Sequence, residues 1–313
     1  MSNIDEFWRE TMDTNILLES GTNELEILEF ALGDNHYGIN VAKIREILQY
    51  QQVTPVPNTH PSVEGIFMPR DTMITVINLR RCLGMDDGTE DGLFIVTNFN
   101  KLDIAFHVDQ VIGIYRVSWE DIVKPDSTLN GQDGSVSTGV IKMNGKLVVI
   151  LDFESIVSSI SPETGLRTAD LDTIGERNRS DSRILIAEDS PLLSKLITDC
   201  LRKAGYHNLI VTTNGQEAWD KISELKQKGT LLDDIQCIIT DIEMPQMDGH
   251  RLTKLCKSDD KIKKIPLVIF SSLVNEEMRR KGEMLGADAQ LTKPEIGMLV
   301  DAIDGLIEKA AAK

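Results

Sequence analysis

The sequence predicts two units of different class: an all-β first half, built as a small barrel or a pair of barrels, and a second half with a doubly wound parallel α/β sheet. Three observations carry this. Between residues 24 and 157, short strand-like runs are separated by turn residues, and a single stretch has helical spacing. From Arg183 onward, strand-like and helix-like segments alternate five times, which implies a parallel sheet with helices on both faces. Residues 158–182 between them are polar and too poor in apolar side chains to build a core, so they read as a linker. The length of 313 residues agrees with two domains at about 150 residues each.

In the first half, Leu25-Glu26-Ile27-Leu28-Glu29-Phe30 is a strand that mixes apolar and acidic residues, closed by a turn at Gly33-Asp34-Asn35. Val41, Ile44, Ile47 and Leu48 recur at helical spacing and predict one helix. Residues 73–77, 93–97 and 102–106 are further strands. Asn144-Gly145 is the signature of a tight hairpin, and it feeds the β-branched run Leu147-Val148-Val149-Ile150-Leu151. In the second half, Ile184-Leu185-Ile186-Ala187 is a short buried strand. Ser190-Pro191 supplies an N-cap and a first-turn proline. Behind them Leu193, Leu196, Ile197, Cys200 and Leu201 line one helix face. Strands at 209–211, 235–240, 267–270 and 289–291 alternate with helices near 215–227, 249–257 and 275–284. A last helix places Ile296, Leu299, Val300 and Ile303 on one side.

Lys and Arg number 33 against 50 Asp and Glu, a formal charge of −17. The surplus acid is concentrated in residues 1–165, which hold 11 basic and 25 acidic side chains. So acidic a chain is poorly suited to nucleic acid or to an anionic membrane surface. Cys82, Cys200, Cys237 and Cys256 have neither zinc-site spacing nor the pattern of a disulfide framework, so free buried thiols are expected. The five histidines are equally dispersed. Asp5, Glu6 and Glu10 exclude a signal peptide, and no apolar run reaches the roughly 18 residues that span a bilayer, so a cytoplasmic protein without membrane insertion is expected.

Ionisable residues gather where the α/β strands end. The first strand ends in Glu188-Asp189, the third in Asp241, the fourth in Ser271-Ser272 and the fifth in Thr292-Lys293-Pro294. In a doubly wound sheet, chemistry sits at the carboxyl ends of the strands. Three carboxylates at one edge repel each other unless a cation joins them, and Mg²⁺ suits an all-oxygen set. A metal beside a lysine and a hydroxyl is a layout for phosphoryl transfer.

Glu188-Asp189, the run Asp241-Ile242-Glu243-Met244-Pro245-Gln246-Met247-Asp248-Gly249, Ser271 and Lys293-Pro294 together resemble the signature of two-component receiver domains. The resemblance implies a flavodoxin-like (βα)5 fold with strand order 2-1-3-4-5. It makes Asp241 the phosphoacceptor, and Glu188, Asp189, Asp241 and the backbone carbonyl of Glu243 the Mg²⁺ ligands. Ser271 and Lys293 become phosphoryl-binding residues, and Pro294 follows a cis peptide. Gln290 stands where relatives carry an aromatic switch residue, so the aromatic relay is not expected. Glu243 and Leu273 occupy the variable positions beside the site.

The first half resembles the CheW family of chemotaxis coupling proteins through Phe30–Asp34, Tyr37-Gly38-Ile39, Ile44-Arg45-Glu46-Ile47, Gly65-Ile66, Val76–Arg80, Val108–Val111 and the closing 147–153. That resemblance implies two SH3-like β-barrels that bind the regulatory domain of the histidine kinase CheA and the cytoplasmic tips of chemoreceptors. Ile44, Glu46 and Arg70 fall at partner-contact positions, although Ile44 suits a core equally well and Glu46 with Arg70 an internal ion pair. The family's Asn-Leu-Arg-Gly is here Met68-Pro69-Arg70-Asp71. The whole arrangement is similar to the CheV-type coupling proteins: a lead-in segment over 1–23, a coupling domain over 24–157, a linker over 158–182 and a receiver over 183–313. It implies an adaptor at receptor arrays that is regulated by phosphorylation and is not an enzyme. A phosphate sink draining CheA is the alternative. A transcriptional regulator is disfavoured because the first unit is acidic.

Overall fold

A computed structural model describes residues 21–88, 91–99, 102–124, 136–161, 180–272, 276–293 and 296–311. The lead-in up to residue 20, the 162–179 part of the linker, Leu273 and Pro294 lie outside the described residues.

The first unit consists of β1 (Glu24–Leu32), β2 (Asn35–Asn40), β3 (Ile44–Gln49), β4 (Val63–Phe67), β5 (Ile74–Asn78), α1 (Leu79–Cys82), β6 (Leu93–Phe99), β7 (Leu102–Val108), β8 (Gln110–Ser118), β9 (Ser137–Met143), β10 (Lys146–Leu151) and α2 (Phe153–Ile160). Its strands form two five-stranded sheets, ordered β8-β1-β2-β10-β9 and β3-β6-β7-β5-β4. Each wraps its own apolar interior: Ile27, Trp119, Ile141 and Val148 in the first, Phe67, Val76, Phe94 and Val96 in the second. A third core between them holds Leu28, Phe30, Leu32, Phe106 and Phe153. The two-residue period of β1 explains this, because Leu25 and Ile27 face the first interior while Leu28, Phe30 and Leu32 face the shared core. The Asn144-Gly145 turn closes β9 on β10 with both residues at positive φ (50° and 78°), as the hairpin signature predicts.

The helix expected over Val41–Leu48 is a correction. Only Val41–Lys43 turns, as a single 3-10 turn, and Ile44–Gln49 is strand β3, paired antiparallel with β6. A bulge between Ile44 and Glu46 makes Ile44 oppose Thr97 and Ile47 oppose Ile95, so both side chains reach the shared core although they are three residues apart. A bulged strand thus imitates helical spacing. The edges of the presumed linker are structured as well. Asp152 caps α2 by accepting from Glu154 N and Ser155 N, and the helix continues to Ile160.

The second unit runs β11 (Ser180–Ala187), α3 (Pro191–Lys203), β12 (Tyr206–Thr212), α4 (Gly215–Lys228), α5 (Leu231–Asp234), β13 (Cys237–Thr240), α6 (Gly249–Ser258), β14 (Leu267–Ser271), α7 (Glu276–Met284), β15 (Ala289–Thr292) and α8 (Ile296–Ala311). Its five strands are all parallel in the order β12-β11-β13-β14-β15. Alternate residues face opposite helical layers: Leu185, Ile238 and Ile269 lie in one core, Ile186, Ile239 and Phe270 in the other. Ser190 accepts from Leu193 N at the start of α3, where Pro191 needs no donor.

Candidate functional site

Parallel pairing in register brings the strand ends to one edge. Ala187 lies opposite Thr240, Thr240 opposite Ile269, and Ser271 opposite Thr292, so the residues that follow each strand converge. Glu188, Asp189 and Asp241 each present a carboxylate oxygen within 4.8 Å of the others. Lys293 Nζ donates to Asp241 Oδ2 at 2.8 Å and lies 3.2 Å from Glu188 Oε2. Asp241 Oδ1 accepts from Ile242 N at 2.7 Å, and Glu188 Oε1 accepts from Ser190 N at 3.2 Å. Ser271 ends β14 and is buried, like Glu188, Asp241 and Lys293.

The electrostatics are those of a crowded acidic pocket. Burial pushes the Glu188 carboxyl up to about 8, with Asp241 and Asp189 adding to it and Lys293 opposing. Burial likewise lifts Asp189 to about 6, against the pull of Lys124. For Lys293 burial works against the charge, but Asp241, Glu188 and Glu154 together hold its pKa well above the ordinary value. Glu188 Oε2 is buried and accepts no hydrogen bond. An unsatisfied carboxylate oxygen, three converging acids and hard oxygen donors fit a small divalent cation.

The structure therefore brings Glu188, Asp189, Asp241 and Lys293 into contact range. Glu243, expected to offer its carbonyl, directs its carboxylate to Lys43 at 2.5 Å and to Asn40 Nδ2 at 2.8 Å, both in the first unit. Gln290 is half-buried: its Nε2 donates to Arg279 O at 2.7 Å, while its Oε1 is buried without a partner. Ile44 packs against the shared core. Glu46 and Arg70 meet at 3.1 Å, with the Arg70 side chain 79% exposed. Arg70 and Asp71 both adopt positive φ (51° and 66°), which Asp tolerates better than most residues that replace glycine.

Three residues at the site had no sequence signal. Lys43 joins Glu243 to Glu154 of α2, the Ser272 hydroxyl donates to Glu154, and Lys124 lies 3.4 Å from Asp189 Oδ2. All three belong to the first unit and lie about 65–200 residues from their receiver contacts in sequence, so periodicity and motif spacing carry no trace of them.

Residues 26–161 match the family model of the CheW-like domain, and residues 184–304 match that of the response regulator receiver domain. The chain is 27% identical over 304 residues to the chemotaxis protein CheV3 of Helicobacter pylori, covering 92% of this chain and 96% of that protein. It is 28% identical over 151 residues to the chemotaxis protein CheW of Thermotoga maritima, covering 48% of this chain and 98% of the relative. Among solved structures, the scaffolding protein TtCheW of Thermoanaerobacter tengcongensis aligns with 41% of this chain and 83% of its own at 22% identity, with a TM-score of 0.37. A Francisella response regulator receiver domain aligns with 41% of this chain and 98% of its own at 26% identity, with a TM-score of 0.36.

Proposed function

We propose, from the premise that the chain joins a CheW-like domain to a response regulator receiver domain, that it is a chemotaxis adaptor coupling chemoreceptors to the histidine kinase CheA, with coupling set by phosphorylation of Asp241. It is not an enzyme in the usual sense, because the phosphoryl group it accepts ends on its own side chain. The carrying observation is the convergence of Glu188, Asp189, Asp241 and Lys293 at one sheet edge.

In the proposed transfer, an Asp241 carboxylate oxygen bonds to phosphorus as the P–N bond of a phosphohistidine breaks, and the electron pair leaves with the imidazole, which takes up a proton. Lys293, held charged between Asp241 and Glu188, neutralises the incoming phosphoryl oxygens. Ser271, at the end of the neighbouring strand, is the residue proposed to hydrogen-bond another of them. Glu188, Asp189, Asp241 and the Glu243 carbonyl would hold Mg²⁺, which supplies charge neutralisation when bound. Later hydrolysis of the acyl phosphate belongs to the same proposal. Ile44, Glu46 and Arg70 are proposed partner contacts of the coupling domain, with the exposed Arg70 the strongest of the three. The chain is proposed to work at receptor arrays in the cytoplasm; no helix among the described residues is long and apolar enough to cross a membrane.

The test is transfer of labelled phosphoryl from phospho-CheA with Mg²⁺. Asp241→Ala should remain unlabelled, and EDTA should abolish labelling of the wild type. Label retained on the variant overturns the assignment. Titrating the Asp241→Ala variant, which cannot accept a phosphoryl group, into receptor–CheA complexes should still change kinase activity, which a sink would not do.

A further inference from the structure

The edge that accepts the phosphoryl group is covered by the rest of the same chain. Three of the loops that leave that edge, those after β11, β13 and β14, are held by the coupling domain. After β11, Lys124 Nζ donates to Asp189 O at 3.1 Å and lies 3.4 Å from its carboxylate. After β13, Lys43 and Asn40 hold Glu243, Gln246 N donates to Trp119 O at 3.1 Å, and Asn23 bonds both Gln246 O (2.7 Å) and Asp248 N (2.9 Å). After β14, Ser272 donates to Glu154, which Lys43 also pairs at 3.0 Å. Ala42 adds an apolar contact to the receiver core.

One of these contacts bears directly on cation binding. Lys124 places a positive charge on Asp189, the carboxylate that a divalent ion would claim. A doubly charged ion held there repels the ammonium a few ångströms away. We propose that the covered edge is the resting state of an interdomain latch, in which docking of the coupling domain through Lys124 competes with divalent-cation binding at Glu188, Asp189 and Asp241. Cation and phosphoryl occupancy then favour the opened chain, and by linkage anything that opens the chain strengthens cation binding. The proposal rests on the phosphoacceptor reading of this edge. It goes beyond that reading by making the coupling domain a competitor of the metal.

The experiment uses the full chain and Mg²⁺ alone, with affinity measured by titration calorimetry. Removing the charge in Lys124→Met should raise Mg²⁺ affinity by about three- to tenfold, since a partly exposed charge is screened but close. Lys124→Arg should keep the wild-type value. In small-angle scattering, Mg²⁺ with beryllium fluoride, an acyl-phosphate mimic, should increase the radius of gyration of the wild type. A Lys124→Met affinity equal to or below wild type, or an unchanged radius, overturns the latch. In a control, Asp189→Asn should lose Mg²⁺ binding; unchanged binding there overturns the phosphoacceptor reading and the latch with it. Loss in Asp189→Asn with no gain in Lys124→Met sinks the latch alone. Lys124 is partly exposed, so its replacement leaves the fold intact.

Discussion

Gly249 opens α6 against the main chain of Asp241, the proposed phosphoacceptor, and replacing it with alanine sets two effects of opposite sign against each other. Helix propensity favours alanine over glycine by about 1 kcal/mol. A Cβ at Gly249, however, would lie 1.8 Å from the Asp241 carbonyl oxygen, 2.8 Å from its carbon and 3.0 Å from Thr240 Oγ1. Ordinary contact begins near 3.4 Å, so the helix and the Asp241 main chain must separate by about 1.6 Å. Neither side yields easily. The helix is pinned by the Asp248 cap on Arg251 N and by buried Leu252 and Cys256, and Asp241 N is bonded to Ala187 O. The shift also breaks the bond from Gly249 N to Ile242 O, which contributes about 1 kcal/mol. Overpacking against a backbone, with the lost bond counted in it, lies at the upper end of its usual range of about 1–3 kcal/mol. The steric effect therefore wins, and Gly249→Ala should destabilise the receiver by about 2 kcal/mol. Cys256 sits on the same helix and is 1% exposed, so its labelling by a thiol reagent under native conditions reports opening of α6. The rate should rise about 30-fold, at tenfold per 1.4 kcal/mol. Cys82 in the coupling domain, resolved by mass spectrometry, should label at the wild-type rate. A Cys256 rate within twofold of wild type would refute the steric argument.

Burial holds His250 down to about 4 with its Nε2 unpartnered, so its neutral form stabilises the fold above the unfolded value of 6.5 and that contribution is lost as pH falls from 6.5 toward 4. His250→Asn should flatten the fall in denaturation midpoint across that window, and an unchanged slope would assign the loss to other groups. In Gly282→Ala the new Cβ would fall 2.3 Å from Gln290 Oε1, so this change should destabilise the wild type but be relieved by roughly 1 kcal/mol or more in a Gln290→Ala background, as read from a double-mutant denaturation cycle. Gln290→Ala alone should leave the response of CheA activity to phosphorylation intact, whereas Ser271→Ala should abolish it; equal loss in both would make the amide part of the switch.

The receiver site was legible in the sequence because a parallel sheet converts order along the chain into position along an edge. Once Ile184–Ala187, Cys237–Thr240 and Ala289–Thr292 are strands in one sheet, Glu188, Asp241 and Lys293 must meet at its carboxyl end. The Asn144-Gly145 hairpin was equally readable, since both central residues of its turn need positive φ. Val41–Leu48 was misread because one bulge moves Ile44 and Ile47 onto the same face, and a single sequence does not mark where a ladder slips. The start of the helix at Phe153 hid behind a serine-rich end that reads as linker, although Asp152 stood ready to cap it. What the tertiary structure alone decided is the junction of the two units. Lys43, Lys124 and Glu154 meet Glu243, Asp189 and Ser272 across long separations in the chain, and no local periodicity encodes a contact made between two independently folded surfaces.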